Sequence, residues 1–386
     1  MDLKIFFSPL DDTLFSEISG HNTFYHSIRV NHESMPAYNG ADIAILGLPG
    51  EGPKGKSSSD HWEAANEIRK KLYHLKKGSG TYRIIDLGNL NAGISTDETY
   101  LRIKEVCEML IENNVLPILI GGSHDMDIGQ FRAYEEMKKL VSFLNVDAML
   151  DMEDRDGTPN NTNHIHNILL HEPNFLFNYS HLGYQSYLID PAHIALLEKL
   201  YFEAYRLGHL REHIKEMEPI IRDADMMSFD IGAIKSIDAP GVNDPRAFGL
   251  TGEEACQICW YAGLNEKLSS VGFYEYKPRL DDLNRKTASV IATMIWYFVE
   301  GFYNRKSELN FKINDYIKYV VSMPSNPEAI VFYKSKLSEK WWLEVPYPDQ
   351  NKYERNCIVP CNYKDYELAT QGQVPDRWVN TYTKLY

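Results

Sequence analysis

The stretch Leu116–Asp125, LPILIGGSHD, decides the fold of this chain. Its first half is a short apolar run, and two glycines, a serine, a histidine and an aspartate follow directly. A short apolar run that ends at glycines is typical of a strand buried on both faces of a parallel sheet. Because ligands bind beyond the carboxyl ends of such strands, His124 and Asp125 are candidates for a functional site.

The same pattern recurs from about residue 42 to residue 303, where β-rich apolar runs alternate with helical stretches. This alternation predicts a three-layer α/β/α fold, in which helices cover both faces of a mostly parallel sheet. We predict strands at Ile43–Leu46, Tyr82–Asp86, Leu116–Ile120, Leu140–Asp147, Tyr187–Ile189, Met226–Asp230 and Ser270–Tyr274.

Residues 306–386 have a different character. They contain the pair Trp341 and Trp342, many tyrosines, and four prolines between Pro346 and Pro375. The alternation of strands and helices does not continue there, so we predict an α/β domain over residues 1–305 and an aromatic-rich C-terminal extension over residues 306–386. Two adjacent tryptophans are too apolar to be left in water, and we expect the extension to pack on the main domain or on another subunit.

The composition excludes several classes of partner. A formal net charge of −14 would be repelled by nucleic acid and by an anionic membrane, because both are bound through lysine and arginine. The first residues, MDLKIFFSPLDD, lack the pattern of a signal peptide. The longest apolar run, Ala288–Val299, is shorter than the ~20 residues that span a bilayer. We therefore predict a cytoplasmic protein with no nucleic-acid or membrane partner.

The chain has five cysteines, and an odd number without an export signal predicts reduced thiols. Cys256 and Cys259 are three residues apart, and Cys357 and Cys361 are four apart. A four-cysteine zinc site built from both pairs is an alternative. The pairs are about a hundred residues apart, and the first falls inside a predicted helix, which favours ordinary buried thiols.

Acidic residues follow three further predicted strands. Asp147 and Asp151 lie after one strand, Asp230 ends the next, and Glu275 follows another. Together with His124 at one sheet edge, these carboxylates would repel one another unless a cation lay between them. One imidazole and three aspartates suit a divalent ion of the manganese class. Taken singly, each residue is more typical of a helix cap or a loop, but their occurrence at successive strand ends favours a metal site.

The motifs at these strand ends resemble those of the arginase, agmatinase and formimidoylglutamase (ureohydrolase) family. Gly121–Asp125 (GGSHD) is similar to the family's Gly-Gly-Asp-His-Ser, and Asp147–Asp151 (DAMLD) is similar to its Asp-Ala-His-x-Asp. Ser228–Gly232 (SFDIG) is similar to Ser-Phe-Asp-x-Asp, and Glu275–Pro278 (EYKP) is similar to Glu-Val-Asn-Pro. Ala239–Gly241 matches the family's Ala-Pro-Gly, and Gly249–Thr251 matches its Gly-Leu-Thr. The resemblance covers about residues 40–303 and implies an arginase-like fold.

Members of that family hold two manganese ions that share a bridging hydroxide, which attacks the carbon of a guanidinium or amidine group. Carried over by position, one metal would be bound by His124, Asp147, Asp151 and Asp230, and all four residues are present. The resemblance therefore implies one divalent metal, of the manganese class, per chain.

The second metal of the family would share Asp147 and Asp230 but also needs ligands at Met149 and Gly232. Residues two apart in a strand face the same side, which allows the family to pair its ligands there. A methionine thioether is a poor ligand for hard manganese, and glycine has no side chain. We expect the second metal to bind weakly or not at all. Ser123 stands where the family has an aspartate that orients the ligating histidine, so the affinity of the first site is expected to be reduced.

Two further roles can be assigned. Glu275 would clamp the cationic end of a substrate, as the matching family residue does, and the alternative is a surface salt bridge. His164 or His166 would transfer a proton to the leaving amine, because histidine titrates near neutral pH. The alternative is that both are solvated loop histidines.

The loop after Asp151 is rich in charge. Glu153, Asp154 and Asp156 are expected to face solvent, and the alternative is that one of them replaces a lost ligand. Arg155, in the same loop, is a candidate for binding a substrate carboxylate.

We predict a metal-dependent hydrolase of carbon–nitrogen bonds in a small linear amidine or guanidine. General likeness favours formimidoylglutamate-type substrates over arginine or agmatine. The competing hypothesis is a pseudoenzyme, a binding or assembly subunit that kept the fold and uses the aromatic extension as its contact surface. Family members form trimers or hexamers, so the resemblance also implies a homo-oligomer.

Overall fold

The computed structural model describes residues 3–50, 62–137, 139–153, 159–309, 311, 315–324, 327–347 and 356–385. The strands are β1 (Phe7–Ser8), β2 (Arg29–Val30), β3 (Ile43–Gly47), β4 (Ile84–Leu90), β5 (Leu116–Ile120), β6 (Val141–Val146), β7 (Leu176–Tyr184), β8 (Glu203–Arg206), β9 (Met226–Asp230), β10 (Ser270–Tyr274), β11 (Tyr316–Ser322), β12 (Ala329–Ser335), β13 (Trp341–Val345) and β14 (Cys357–Cys361). The α-helices are α1 (Glu63–His74), α2 (Thr96–Glu112), α3 (Asp127–Arg132), α4 (His164–Leu169), α5 (Pro191–Lys199), α6 (Leu207–Glu212), α7 (Glu218–Arg222), α8 (Gly252–Leu264), α9 (Lys286–Tyr303), α10 (Tyr363–Thr370) and α11 (Asp376–Leu385).

The main sheet has ten strands in the order β1-β4-β3-β5-β10-β9-β6-β7-β8, and β2 pairs with β4 beside this path. Every pairing is parallel except that of β1 with β4. Helices lie on both faces, so the predicted α/β class with a mostly parallel sheet is confirmed.

Alternate residues of the central strands face opposite helical layers. In β3, Ile43 and Ile45 pack in the core that includes α1, α8 and α9, whereas Ala44 and Leu46 pack in the core that includes α2. Both faces of the central strands are thus covered, which explains why their sequences are continuous apolar runs. Polar residues can collect only where these strands end.

The predicted strands at Leu116–Ile120, Met226–Asp230 and Ser270–Tyr274 have the observed bounds. The strand predicted at Tyr187–Ile189 is wrong, because the chain has already left the sheet at the end of β7 and Tyr187 is exposed. Polar residues interrupt the sequence of β7, LFNYSHLGY, and hide it from a search for apolar runs. Among them, His181 is fully buried and its Nδ1 lies 2.9 Å from the Tyr179 hydroxyl.

The C-terminal extension forms a second sheet of its own. The antiparallel strands β11-β12-β13-β14 pair in chain order, and their core includes Phe332, Leu343 and Trp378 of α11. Trp341 and Trp342, on which the predicted packing of the extension rests, are both buried. The division of the chain at residues 305 and 306 stays a prediction.

Arg222, at the end of α7, joins the extension to the α/β layers. Its guanidinium lies 4.3 Å from the ring of Trp342, and Nη2 donates to the backbone oxygens of Trp341 and Cys361 at 3.1 and 3.2 Å. Nε pairs with Glu218 at 2.9 Å. A charged donor that satisfies buried backbone oxygens and stacks on an aromatic ring contributes more than an exposed ion pair.

All five cysteines are free, with Cys256 and Cys259 in α8, and Cys357 and Cys361 in β14. The groups of described side chains that could hold a metal contain only histidine and aspartate, so the alternative four-cysteine zinc site is not formed by them. Every helix within the described ranges is too short or too polar to span a bilayer.

Replacing Arg222 by alanine should loosen the extension. We expect the free energy of unfolding to fall by roughly 2–4 kcal/mol, because the variant loses the stacking on Trp342 and leaves two buried carbonyl groups without a donor. Thermal melting and limited proteolysis of the extension would measure the effect. Arg83→Ala is the matched control, since this arginine forms an exposed ion pair with Asp42 and should matter little. Equal melting of the two variants would contradict the assignment.

Candidate metal centre

The sheet order places four strand ends side by side. β5, β10, β9 and β6 are consecutive neighbours in the sheet, although they are not consecutive in the chain. His124 follows β5, Glu275 follows β10, Asp230 ends β9, and Asp147 follows β6. Because these strands are parallel, all four residues lie at the same carboxyl edge.

Two glycines turn the chain from β5 to His124. Gly121 and Gly122 have φ angles of 82° and 79°, in the left-handed region that favours glycine. A Cβ on Gly122 would lie 2.6 Å from the sulfur of Met126 and 3.1 Å from the Cβ of Leu48. The Gly-Gly pair is therefore required to direct His124 into the edge of the sheet.

Three carboxylates converge on one nitrogen of His124. Nδ1 lies 3.5 Å from Oδ2 of Asp147, 3.7 Å from Oδ2 of Asp151 and 3.6 Å from Oδ2 of Asp230. These distances exceed a normal hydrogen bond, and Nδ1 and the Asp147 oxygen are both buried without a hydrogen-bond partner in the described structure. One ion between these atoms would satisfy them, so the donor set fits a divalent metal.

The other ring nitrogen of His124 is held by Ser228, two residues before Asp230 on the same face of β9. Nε2 lies 2.9 Å from the Ser228 hydroxyl, which itself donates to Oδ2 of Asp127 at 3.0 Å. Since the Ser228 proton is used on Asp127, its oxygen must accept from the N–H of His124. This tautomer leaves the lone pair of Nδ1 directed at the three carboxylates.

Ser228 and Asp127, which were not predicted, therefore orient His124. Ser123, at the position where the family has an aspartate, is buried and its hydroxyl makes no hydrogen bond to the described residues. Ser228 lies inside the Ser-Phe-Asp motif, and Asp127 follows His124 by about one helical turn, so the sequence held a signal for both. What it lacked was the order of the strands that brings them together.

The pKa shifts in the cluster favour a proton or another positive charge among its side chains. Burial alone would lower the pKa of His124, but the carboxylates of Asp147 and Asp230 outweigh burial and hold this pKa well above its usual value. Burial and the charge of Asp151 raise the pKa of Asp147. Buried groups with such shifts are typical of functional sites.

Of the two candidate proton carriers, His164 is the one that contacts the cluster. Its Nδ1 lies 2.8 Å from Asp127 and its Nε2 lies 3.2 Å from Asp151. Burial lowers the pKa of His164, but the charge of Asp127 raises it to a net value of about 9. His166 is two residues further along α4, about 200° around the helix, and is half-buried. Transfer of a proton by either residue stays a prediction.

Glu275 lies in the site but is already engaged. It is buried, its φ is 68°, its Oε1 accepts from the backbone N–H of His124 at 2.8 Å, and its Oε2 pairs with Lys277 at 3.2 Å. Asp151 also has a positive φ, of 48°. Glu275 and Asp151 thus both have a left-handed backbone, which is strained for residues other than glycine. Such strain is typical of sites where side chains must be held in place.

Met149 and Gly232, the positions predicted to lack ligands for a second metal, lie next to the histidine–aspartate cluster. Asp147 turns its second oxygen, Oδ1, to the backbone N–H of Met149 at 3.1 Å. Asp230 likewise turns Oδ1 to the N–H of Gly232 at 2.6 Å. The oxygens that a second metal would share are therefore bound by backbone amides. Neither Met149 nor Gly232 fits a second manganese ion.

A cleft of about 290 Å³ opens onto the cluster. The described residues that line it are Asp147, Met149, Asp151, Asn161, Thr162, Asp230, Gly232, Val242, Asn243, Asp244, Arg246 and Glu275. A larger cleft of about 810 Å³, between α8 and α9, contains none of the strand-end residues. The small acidic cleft is therefore the candidate substrate site.

Part of the charged loop lies outside the described residues, including Asp154, Arg155 and Asp156. Glu153 is described, and its Oε2 accepts from the hydroxyl of Thr162 at 3.0 Å. The predicted roles of this loop stay predictions.

The parallel sheet and the histidine–aspartate cluster at its edge define an α/β protein with a candidate metal centre between neighbouring strand ends. The sequence profile of the Arginase family matches residues 41–300. Because this match spans most of the chain, the chain belongs to the arginase family, and the resemblance seen in the sequence motifs is confirmed.

Individual relatives are distant. The formimidoylglutamase of Streptococcus pyogenes serotype M3 is 22% identical over 321 residues, which cover 76% of this chain and 94% of that protein. The crystal structure of formimidoylglutamase from Bacillus subtilis superposes with a TM-score of 0.63 at 19% identity, covering 74% of this chain and 94% of that one. Formiminoglutamase from Trypanosoma cruzi, solved with Mn²⁺, gives a TM-score of 0.60 at 20% identity, covering 76% and 99%. At these identities the structural likeness establishes the fold.

Replacing Ser228 by alanine should weaken metal binding by roughly 10–100-fold, because the ring of His124 loses the acceptor that fixes its tautomer and orientation. Titration calorimetry with Mn²⁺ would measure the change. Ser123→Ala provides a matched control, since it removes a buried hydroxyl next to His124 that makes no hydrogen bond there. If both alanine variants bound Mn²⁺ as the native chain does, Ser228 would have no orienting role.

Proposed function

We propose that this protein is a metal-dependent hydrolase that cleaves a carbon–nitrogen bond in a small amidine or guanidine, with formimidoylglutamate-type substrates favoured. The observation that carries the proposal is the convergence of three carboxylate oxygens on Nδ1 of His124. Membership of the arginase family and the formimidoylglutamases among its relatives support the reaction class. At pH 7 a manganese-class ion held by His124, Asp147, Asp151 and Asp230 would activate water for attack on the amidine carbon.

The residues of the chain perform the remaining tasks. Ser228 fixes the tautomer of His124, and His164 holds Asp151 from the side away from the cleft. The acidic lining of the cleft attracts a protonated amidine or guanidine. Glu275 forms part of that lining, and a cationic substrate competes with Lys277 for its outer oxygen.

Hydrolysis requires a proton for the leaving amine. His164 is the nearer of the two candidate histidines to the cluster, and the charge of Asp127 raises its pKa against the effect of burial. Because both of its nitrogens contact carboxylates, that proton would pass through Asp151 rather than directly to the substrate.

The alternative function, a pseudoenzyme that binds or assembles without catalysis, is favoured by one observation. The ligands of the second metal are missing, and the carboxylate oxygens that would bind that metal accept from backbone amides instead. In this case the extension, with its own sheet and core, is the proposed contact surface for further copies of the chain.

An assay of the purified full chain separates the two functions. Metal-free protein would be reconstituted with Mn²⁺, Ni²⁺ or Zn²⁺ and given N-formimidoyl-glutamate, arginine and agmatine, while formamide, urea and free amine are measured. We expect one metal per chain and turnover of the formimidoyl compound.

Two aspartate variants are matched for this assay. Asp230→Asn removes the charge of a proposed ligand without changing its size, and should lower kcat/KM by about 100-fold or more. Asp244→Asn makes the same change at an exposed cleft carboxylate outside the cluster, and should have a small effect. One bound metal without turnover of any compound would favour the pseudoenzyme, and no bound metal would refute the proposed site.

A further inference from the structure

The cleft wall beside the lost second-metal position carries a positive charge. Among the described residues that line the cleft, Arg246 is the only cation and faces five carboxylates, those of Asp147, Asp151, Asp230, Asp244 and Glu275. The Arg246 side chain is 12% exposed. Its Nη1 donates to the backbone oxygen of Gly232 at 3.1 Å, and its Nη2 lies 3.5 Å from Oδ2 of Asp244. The guanidinium is thus fixed at the residue that lacks a ligand.

The space that a ligand at residue 232 would occupy lies between Arg246 and Asp230. A Cβ built on Gly232 would be 3.3 Å from Nη1 of Arg246 and 3.0 Å from Oδ1 of Asp230. An aspartate there would meet the guanidinium, with which its carboxylate would pair. Gly232 does not have a positive φ, so its backbone accepts other residues, and a side chain there would lie between Asp230 and the guanidinium.

We propose that the guanidinium of Arg246 takes the place of the second metal. It supplies a permanent positive charge in the cleft next to Gly232, because arginine stays protonated in proteins. It also excludes a second divalent cation, because two cations at one position repel each other. The negative charge of the cleft is thereby offset in part by one exchangeable metal and one covalently attached cation.

This inference rests on the proposed metal site at His124. The readout is the difference in Mn²⁺ per chain between variants that differ only at Arg246, and it does not depend on whether the native chain is active. Failure of the His124 site is seen separately, because the native chain would then bind no Mn²⁺ and no variant would give a coupled signal.

The experiment restores both lost ligands and then varies the arginine. Met149→His with Gly232→Asp gives the background, to which Arg246→Gln or Arg246→Lys is added. Mn²⁺ per chain is measured by elemental analysis after gel filtration, and electron paramagnetic resonance reports whether two ions lie close enough to couple. The background should bind no more Mn²⁺ than the native chain. The glutamine variant should bind one more ion and give a coupled signal. The lysine variant should stay at the background value, because the positive charge is kept.

Three results would overturn the proposal. One is a background variant that already binds an additional ion while Arg246 is intact. Another is a glutamine variant that binds no additional ion although its circular dichroism and melting are native. The third is a lysine variant that gains the ion as the glutamine variant does, because a positive charge would then not exclude the metal.

A second design avoids Gly232, in case the aspartate prevents folding. In Met149→His combined with Arg246→Glu, a carboxylate replaces the guanidinium. This carboxylate would approach the second-metal position from residue 246 instead of from residue 232. This variant should bind one more Mn²⁺ than Met149→His alone. Equal binding by the two folded proteins would also overturn the proposal.

Discussion

The repulsion between three aspartates at one sheet edge, of which Asp147 and Asp151 are buried, is the constraint on which the site depends. Their oxygens surround Nδ1 of His124 at 3.5–3.7 Å. Because Ser228 holds the proton of neutral His124 on Nε2, Nδ1 has no proton to donate to these oxygens. Charge of this kind is stable inside a protein only if a cation or proton lies among the carboxylates. The surroundings serve that requirement: the left-handed Gly-Gly turn directs His124, the pair Ser228 and Asp127 orients it, and the backbone N–H of His124 in turn binds Glu275.

The cluster is built asymmetrically. Asp147 and Asp230 each direct one oxygen to His124 and the other to the backbone amide two residues further along. In the proposed arrangement the first metal position would collect four side-chain ligands, while the second would be replaced by amides and by Arg246. A guanidinium differs from a metal ion because it donates hydrogen bonds in a plane and cannot activate water as a Lewis acid. In our proposal, catalysis would therefore rest on the His124 position.

The extension is connected to the sheet through charged groups as well as apolar contact. Arg222 stacks on Trp342, and Lys384 of α11 reaches the ring of Phe202 at 5.3 Å and bonds to Asn178. The Lys384 contacts lie in β7 and immediately before β8. The residues of these contacts are not among the described residues that line the cleft, so they bear on the packing of the extension against the α/β layers.

The sequence alone determined the α/β class and the strands at β5, β9 and β10, and it predicted the four residues that the structure brings together at the sheet edge. These follow from local patterns, because strands buried on both faces must be apolar and their ends must carry whatever polar chemistry the site contains. The strand β7 was missed, since it contains buried polar residues; its His181 is satisfied by Tyr179 in the same strand and by the backbone oxygen of Asp147. Only the tertiary structure decided that β5, β10, β9 and β6 are neighbours, that Ser228 and Asp127 hold His124, and that Arg246 lies against Gly232. The physical reason is that these contacts join residues from about 14 to more than 100 positions apart, and no local periodicity records which distant side chains share one sheet edge.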